Sequence, residues 1–437
     1  MTSEIKQRIE QIRRGEVPEG YKKAKQCICP ADWETTSLRE LADIGQGYTF
    51  KREYQGNHIS RWNYFKVADI GLQSSSIYLS SSINKIDDFL LKQLGYKPFH
   101  AGSIVFPRVG AALLNNNKKI LLHDSLVDDN VLVLSIKNKA VCSNIFLYYL
   151  LSKFQLADWC NSGLVPVINS KTVLKQSIHL PEFTEQQKIS AILSTQDKAI
   201  GLKEKRLAEK QRQKKYLMQQ LLTGKKRIPG FRNEWREVRL YEILTPGSKA
   251  PVSNTKNHQR ITIKLNFKGI EYANVSREMA DTRPFYVRKS NEIIIGKQNY
   301  FNGSIALVSD QFDGCICSNA IMSFSVHGAN TYYVLKYLSQ DDFLRQHQML
   351  ANGTGQKELS EKDFLQFIIK LPSIDEQAAI AKVLSTADRE NDLLRQDIEQ
   401  EKQKKKALMQ LLLTGIVRVT RRSDEMSQLW NRYPFGN

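Results

Sequence analysis

Two loops hold side chains suited to gripping a polyanion. Arg108 ends an apolar run, Ile104–Pro107, and Asn115, Asn116, Asn117, Lys118 and Lys119 follow it. Lys297, Gln298, Asn299 and Tyr300 follow a second run, Ile293–Gly296, with Asn302 and Gly303 beyond. A guanidinium or amide at the rim of a sheet reaches a phosphate or a base edge. Lys51, Arg52 and Arg61 are interleaved with Tyr48, Tyr54 and Trp62, and Lys256, His258, Arg260 and Lys264 form a sparser counterpart. The competing reading of each group is a solvated, charged turn.

Other chemistries lack their side chains. The stretch Gly353-Thr-Gly-Gln-Lys357 has neither the Lys-Ser/Thr ending nor the preceding strand of a phosphate loop. Ser162–Gly163 holds roughly the same place in the first half, so both read as a structural loop. Gly45-Gln-Gly47 is a lone glycine pair. No Pro-Pro pair exists to build the Asn/Asp-Pro-Pro-aromatic clamp of an amino-methyltransferase. The acidic residues cluster on helical sequence, away from strand-like sequence where a nuclease would pair them with lysine. The seven histidines are isolated. Cys27-x-Cys29 and Cys315-x-Cys317 lack metal-finger spacing and read as reduced thiols of a cytosolic protein.

Charge names the partner class. Lys and Arg number 64 against 45 Asp and Glu, a net charge of +19 spread along 437 residues. That points to nucleic acid. No run of 18 apolar residues suits a membrane, and the opening MTSEIKQRIEQIRR is unlike a signal peptide.

These loops need a frame, and the chain repeats one. Leu180–Gly224 and Leu371–Gly415 align without a gap, 191 residues apart, with 19 of 45 positions identical. Each copy predicts a long amphipathic helix opening after Pro181 or Pro372, with Thr184 or Asp375 as cap and Gly224 or Gly415 at the end. Apolar residues recur with alternating steps of four and three: Ile189, Leu193, Ile200, Leu207, Leu217 and Leu221, then Ile380, Leu384, Ala387, Leu394, Ile398, Leu408 and Leu412. That is coiled-coil spacing. Gln196, Lys203, Lys210, Lys214, Asn391, Glu401 and Lys405 interrupt the seam. Lys203, Lys205, Arg206, Lys210, Arg212, Lys214 and Lys215 make the first helix basic where Asp388, Glu390, Asp392, Asp397, Glu399 and Glu401 make the second acidic. The expectation is one antiparallel two-helix coiled coil, about 60 Å long, with a globular block at each end.

The fold class is therefore α+β: two mixed α/β domains separated by that coiled coil, with a pseudo-two-fold internal repeat. The domains fall at 1–20 (a helix, about Glu4 to Glu16, expected to dock where the second long helix finishes), 21–180, 181–227, 228–371, 372–419 and a tail, 420–437. Trp33–Leu38 and Trp235–Leu240 match at the block entrances. Ile104–Pro107 and Val131–Ile136 are predicted strands, matched by Ile293–Gly296 and Asn319–Val326. Asn144–Phe154 and Tyr332–Leu338 are predicted helices.

The doubled LPxxxEQxxIxxxLSTxD…LMQxLLTG pattern and the Trp-x(4)-Leu entries resemble the specificity subunit of type I restriction–modification systems. The likeness covers nearly the whole chain. It implies a non-catalytic subunit with two target-recognition domains, each reading half of a bipartite site in double-stranded DNA. It further implies helices that space the two readers and dock two methyltransferase subunits, and restriction/translocase subunits in the full complex. S-adenosylmethionine, ATP and Mg are then expected on those partners, and no cofactor on this chain. The family's base contacts lie in variable loops, so none transfers by motif. Helix length would fix the unread spacer; four residues added to each helix would lengthen it by about two base pairs. The alternatives are a self-sufficient DNA-modifying enzyme and a basic scaffold without sequence preference.

Overall fold

The computed structural model describes residues 3–24, 27–57, 59–72, 76–161, 165–273, 283–348 and 358–419. Ser162–Gly163, Gly353–Lys357 and the tail from residue 420 lie outside them. The principal helices are α1 (Ser3–Arg13), α2 (Asn144–Leu151), α3 (Phe183–Leu221), α4 (Thr331–Leu338) and α5 (Ile374–Leu412). The chain divides into unit 1, residues 1–206 with 395–437, and unit 2, residues 207–394. Unit 1 thus takes the first part of α3 and the last part of α5, and unit 2 takes the rest of each.

Both long helices start slightly earlier than their sequences suggest. Phe183 and Ile374 open them, so Thr184 and Asp375 lie inside the first turn and do not cap. Glu182 and Ser373 accept the first helical bonds, from Gln186 N and Gln377 N, and Ser373 Oγ also accepts from Glu376 N. Gly224 and Gly415 both adopt φ +71°, the left-handed conformation that ends a helix.

The seam residues carry the predicted pattern. Ile189, Leu193, Ile200, Leu221, Ile380, Leu384, Ile398 and Leu412 are buried, and Leu207, Leu217, Leu394 and Leu408 are half-buried. In unit 1, Lys203 Nζ lies 2.8 Å from Asp397 and 2.9 Å from Glu401, and Lys405 reaches Asp197 at 2.6 Å. In unit 2, Lys210 lies 2.8 Å from Glu390, and Lys214 pairs with Asp388. Partners on α5 fall in number as those on α3 rise, which is antiparallel pairing in each unit. The charged seam positions Lys203, Lys210, Lys214, Glu401 and Lys405 are therefore matched across the pair; such matching fixes register more than it adds stability.

Unit 1 contains β1 (Glu34–Ser37), β2 (Ala42–Gln46), β3 (Trp62–Phe65), β4 (Tyr78–Leu79), β5 (Ile104–Pro107), β6 (Lys119–Leu121), β7 (Val131–Ile136) and β8 (Ser177–Leu180). Its main sheet has the order β2-β7-β5-β6-β4, antiparallel except for β4 with β6. Strands β1 and β8 pair antiparallel, Glu34 opposite Leu180, so the block ends where it began.

Unit 2 repeats this with β9 (Arg236–Arg239), β10 (Leu244–Pro246), β11 (Ile261–Ile263), β12 (Ile293–Gly296), β13 (Ile305–Leu307), β14 (Ile321–Val326) and β15 (Ile368–Leu371). Its sheet runs β10-β14-β12-β13, and β9 pairs with β15.

Both faces of each sheet are covered, which explains the unbroken apolar runs. In unit 1, Ile104, Phe106, Leu132 and Leu134 pack with Phe146 and Leu147 of α2, Ile189 and Leu193 of α3, and Leu412 of α5. Val105, Val131 and Val133 face a smaller cluster with Phe65 and Ile70. In unit 2, Ile293, Ile295, Met322 and Phe324 join the main core, and Ile294 faces the other way. Helix α1 docks beside the end of α5 as expected. Ile5 is fully buried in the unit 1 core, Arg8 donates to Ile416 O at 2.6 Å, and Tyr21 donates to Gly415 O at 2.6 Å.

Candidate nucleic-acid interface

The reading loops are held by a frame whose polar contacts come from the repeated motif. Glu185, 3% exposed, accepts Arg418 Nε and Nη2, each at 2.9 Å, and the Trp33 indole N–H at 3.4 Å. In unit 2, Glu376 accepts Arg227 Nε and Nη2, each at 2.6 Å, and the Trp235 indole at 3.2 Å. Arg418 also binds Asp32 at 2.9 and 2.7 Å, and that hydrogen bond holds the Asp32 carboxyl below its ordinary range.

Gln186 and Gln377 grip the start of the preceding helix. Gln186 Oε1 accepts from Ser143 N at 3.0 Å, ahead of α2, while its Nε2 donates to Val141 O and Pro181 O. Gln377 Oε1 accepts from Asn330 N at 2.8 Å, ahead of α4, and its Nε2 donates to Pro372 O.

The motif aspartates close the junction. Asp197 accepts the Tyr149 hydroxyl at 2.7 Å beside Lys405. Asp388 accepts the Tyr332 hydroxyl and pairs with Lys214 and, at 2.7 Å, Lys336. Burial alone would raise the Asp388 pKa, but Lys336, Lys214 and the Tyr332 hydroxyl outweigh it and hold the carboxyl down to about 2. In the repeated motif Glu185, Gln186, Asp197, Glu376 and Gln377 stand as shared letters without an expected task, and Asp388 is expected only as one of the acids of the second helix. Their identity in both copies was the signal.

On this frame, unit 1 presents the loop from Lys51 to Arg61. Lys51, Arg52 and Arg61 are all exposed. Arg61 stacks over the Trp62 ring at 4.7 Å and lies 3.5 Å from Asp88, which accepts the Trp62 indole N–H at 2.7 Å. Lys51 lies 3.7 Å from Glu53. The loop sits on a satellite core of Phe50, Tyr64, Ile86 and Leu126, with Tyr48, Tyr54 and Trp62 packed against it. Arg108 is half-buried at the end of β5; its backbone N–H donates to Asn130 O and its carbonyl accepts from Ile168. Asn115 is exposed and Asn117 half-buried on the turn beyond.

Unit 2 offers matching positions. Lys256 is exposed on a short turn, as Arg52 is in unit 1. Arg260 precedes β11 as Arg61 precedes β3; it stacks over Phe285 at 4.5 Å and donates to Thr255 Oγ1 at 3.2 Å. Lys264 is exposed and pairs with Glu271 at 2.6 Å. Lys297 follows β12, 3.5 Å from Glu358, and Asn299 is exposed.

Three expected contact residues face inward instead. Lys118 is 5% exposed; its Nζ donates to Asn116 Oδ1 at 2.8 Å and Phe154 O at 3.0 Å, and burial lowers its pKa to about 7. Lys119 opens β6, is 8% exposed, donates to Ser76 O, and has its pKa lowered by burial. Tyr300 is fully buried and donates to Leu338 O at 2.8 Å. Spent on internal acceptors, these groups are core residues of the two units.

Among the described residues, no helix is long and apolar enough to cross a membrane. Residues 30–211 and 232–403 match the family described as Type I restriction modification DNA specificity domain. The chain is 25% identical over 433 residues to a Methanocaldococcus jannaschii protein named as the MjaX type I restriction enzyme specificity subunit, covering 92% of this chain and 97% of that one. It is 25% identical over 344 residues to the MjaVIII specificity subunit of the same organism, covering 70% and 80%. The fold is similar to the crystal structure of a type I restriction-modification S subunit from M. genitalium, with TM-score 0.56, 12% identity, and 90% and 97% of the two chains covered. A frame built twice from the same glutamate, glutamine and aspartate, carrying two sheets of shared strand order, is accounted for by that match: the chain belongs to the type I restriction–modification DNA specificity family.

Proposed function

We propose that this chain is the sequence-reading subunit of a type I restriction–modification enzyme, each unit reading one half of a bipartite site in double-stranded DNA. One observation carries the reading: the two units share their strand order and helix contacts but differ in the loops mounted on them. Basic side chains hold the phosphates, and loop side chains discriminate bases. The chain performs no catalytic step. It docks two methyltransferase subunits, which bring S-adenosylmethionine, and restriction/translocase subunits, which bring ATP and Mg. The lengths of α3 and α5 set how many base pairs go unread. The complex works in the cytoplasm, where its DNA is.

Genome-wide mapping of modified adenines, with and without this chain beside its methyltransferase partner, tests the reading. Modification should appear only in the mixture, at one split motif. Methyl transfer by the purified chain alone would overturn it.

A further inference from the structure

The two main sheets differ at one edge. In unit 1, β6 has an outer neighbour. Strand β4 lies parallel to it, and Ile120 N and Leu122 N donate to Ile77 O at 2.8 Å and Leu79 O at 3.0 Å. In unit 2 the sheet ends at β13, and among the described residues no strand lies beyond it. Register makes the two edges equivalent: Ile120 faces Ile104 at the start of β5, and Leu307 faces Ile293 at the start of β12. Ser304 O accepts from Gly296 N, and Val308 N donates to Glu292 O, each at 2.9 Å. Alternation along an antiparallel ladder then turns the N–H and C=O of Ile305 and Leu307 away from β12. They meet no partner among the described residues. Such an edge is a template for another strand.

A cavity of about 330 Å³ opens along this edge within unit 2. Strand β13 forms one wall. Leu335 and Lys336 of α4, Lys214, Lys215 and Met218 of α3, and Phe267 form the others. Phe267 N donates to Gly303 O at 2.9 Å, so its hairpin covers the chain only as far as the start of the free edge. In unit 1 the same edge is filled by the chain itself. Ile77 and Tyr78 pack on the main core, Leu79 packs on the smaller cluster, and Lys119 donates to Ser76 O. Unit 1 thus shows what such an edge accepts: a short, extended, apolar segment running parallel, with side chains on both faces. The α3 wall indicates whose segment fits unit 2. Lys214, Lys215 and Met218 recur as Lys405, Lys406 and Met409 in the second copy. They belong to the repeated helices, so the groove is continuous with the surface that docks the methyltransferase subunits.

Resting on the docking function proposed above, we infer that unit 2 completes its sheet with a strand from a methyltransferase subunit. An extended apolar segment of that partner lies parallel to β13, bonds to the N–H and C=O of Ile305 and Leu307, and buries a side chain against Leu335 and Met218. In unit 1, β4 already fills the edge, so the partner strand engages unit 2 alone.

Hydrogen exchange on the full chain, alone and with the methyltransferase subunit, tests this. The Ile305 and Leu307 amides should exchange quickly in the free chain and about tenfold more slowly in the complex. The Ile120 amide, already bonded to Ile77 O, should be slow in both. Leu307→Pro removes one outward N–H without touching the ladder to β12, and should weaken methyltransferase binding about fivefold. Leu307→Ala keeps that N–H and should weaken binding less. The wild-type exchange pattern decides the matter even where the proline variant fails to fold. Three results overturn the inference: slow Ile305 and Leu307 amides in the free chain, slowing by duplex DNA alone, or a bound methyltransferase that leaves both amides fast. A methyltransferase subunit that does not bind the chain at all would overturn the docking function beneath it.

Discussion

Arg418 lies flat against Glu185, Nε to Oε1 and Nη2 to Oε2 both at 2.9 Å, although 233 residues separate them in sequence. Glu185 is almost wholly buried. Removing one partner of such a pair strands the other charge, at a cost of roughly 3–5 kcal/mol. Arg418→Met should therefore lower the melting temperature sharply, and Arg227→Met should do the same through Glu376. A double variant, Arg418→Met with Glu185→Leu, should recover much of the loss. A double variant no better than Arg418→Met would refute the pairing.

Asp388 gives unit 2 an acid-sensitive joint. Its folded pKa of about 2 lies below the ordinary value of 3.8. A carboxyl depressed on folding stabilises fully above its unfolded pKa, and that contribution fades as pH falls toward the folded one. Wild type should exceed Asp388→Asn in urea midpoint above about pH 4, with the gap closing between pH 4 and pH 2. A constant gap across that window would argue against an ionised Asp388.

Salt dependence separates the phosphate-binding arginines from a buried lysine. Each phosphate contact contributes about one unit to the slope of log binding constant against log salt. Arg61→Ala and Arg260→Ala should each reduce the slope by about 1. Lys118→Met should leave it unchanged, because its ammonium is spent on Asn116 and Phe154. Filter binding from 50 to 200 mM salt distinguishes them.

Ile5 ties α1 to the core beside Leu412 and Leu413. Ile5→Ala removes buried carbons and should cost about 2–5 kcal/mol. Hydrogen exchange should show faster exchange in α1 and at the end of α5. Unit 2 amides, whose core excludes Ile5, should be unaffected.

The frame was legible in the sequence because its signals are periodic. Burial follows the four-three spacing from Ile189 to Leu221 and from Ile380 to Leu412, and ion pairs such as Lys203–Asp397 follow the opposed charges. Strands Ile104–Pro107, Val131–Ile136 and Ile293–Gly296 matched to the residue because they are buried on both faces. Individual loop residues were less legible, since residue type does not reveal direction. Lys118 and Lys119 look like a basic turn, yet Lys119 begins an inward strand. The repeat would have helped at Tyr300. It lies on the short turn after β12, as buried Leu113 lies on the turn after β5, and the two turns end in left-handed Asn116 and Gly303. Leu113 marks that place as core.

Gln186 and Gln377 hold the reading blocks by main-chain atoms that every amino acid except proline possesses. Gln186 touches the amide of Ser143 and the carbonyls of Val141 and Pro181; Gln377 touches the amide of Asn330 and the carbonyl of Pro372. A clamp closed on main chain is indifferent to the side chains beside it. Substitutions can accumulate throughout a block without loosening this grip, so new specificities can arise on an unchanged mount.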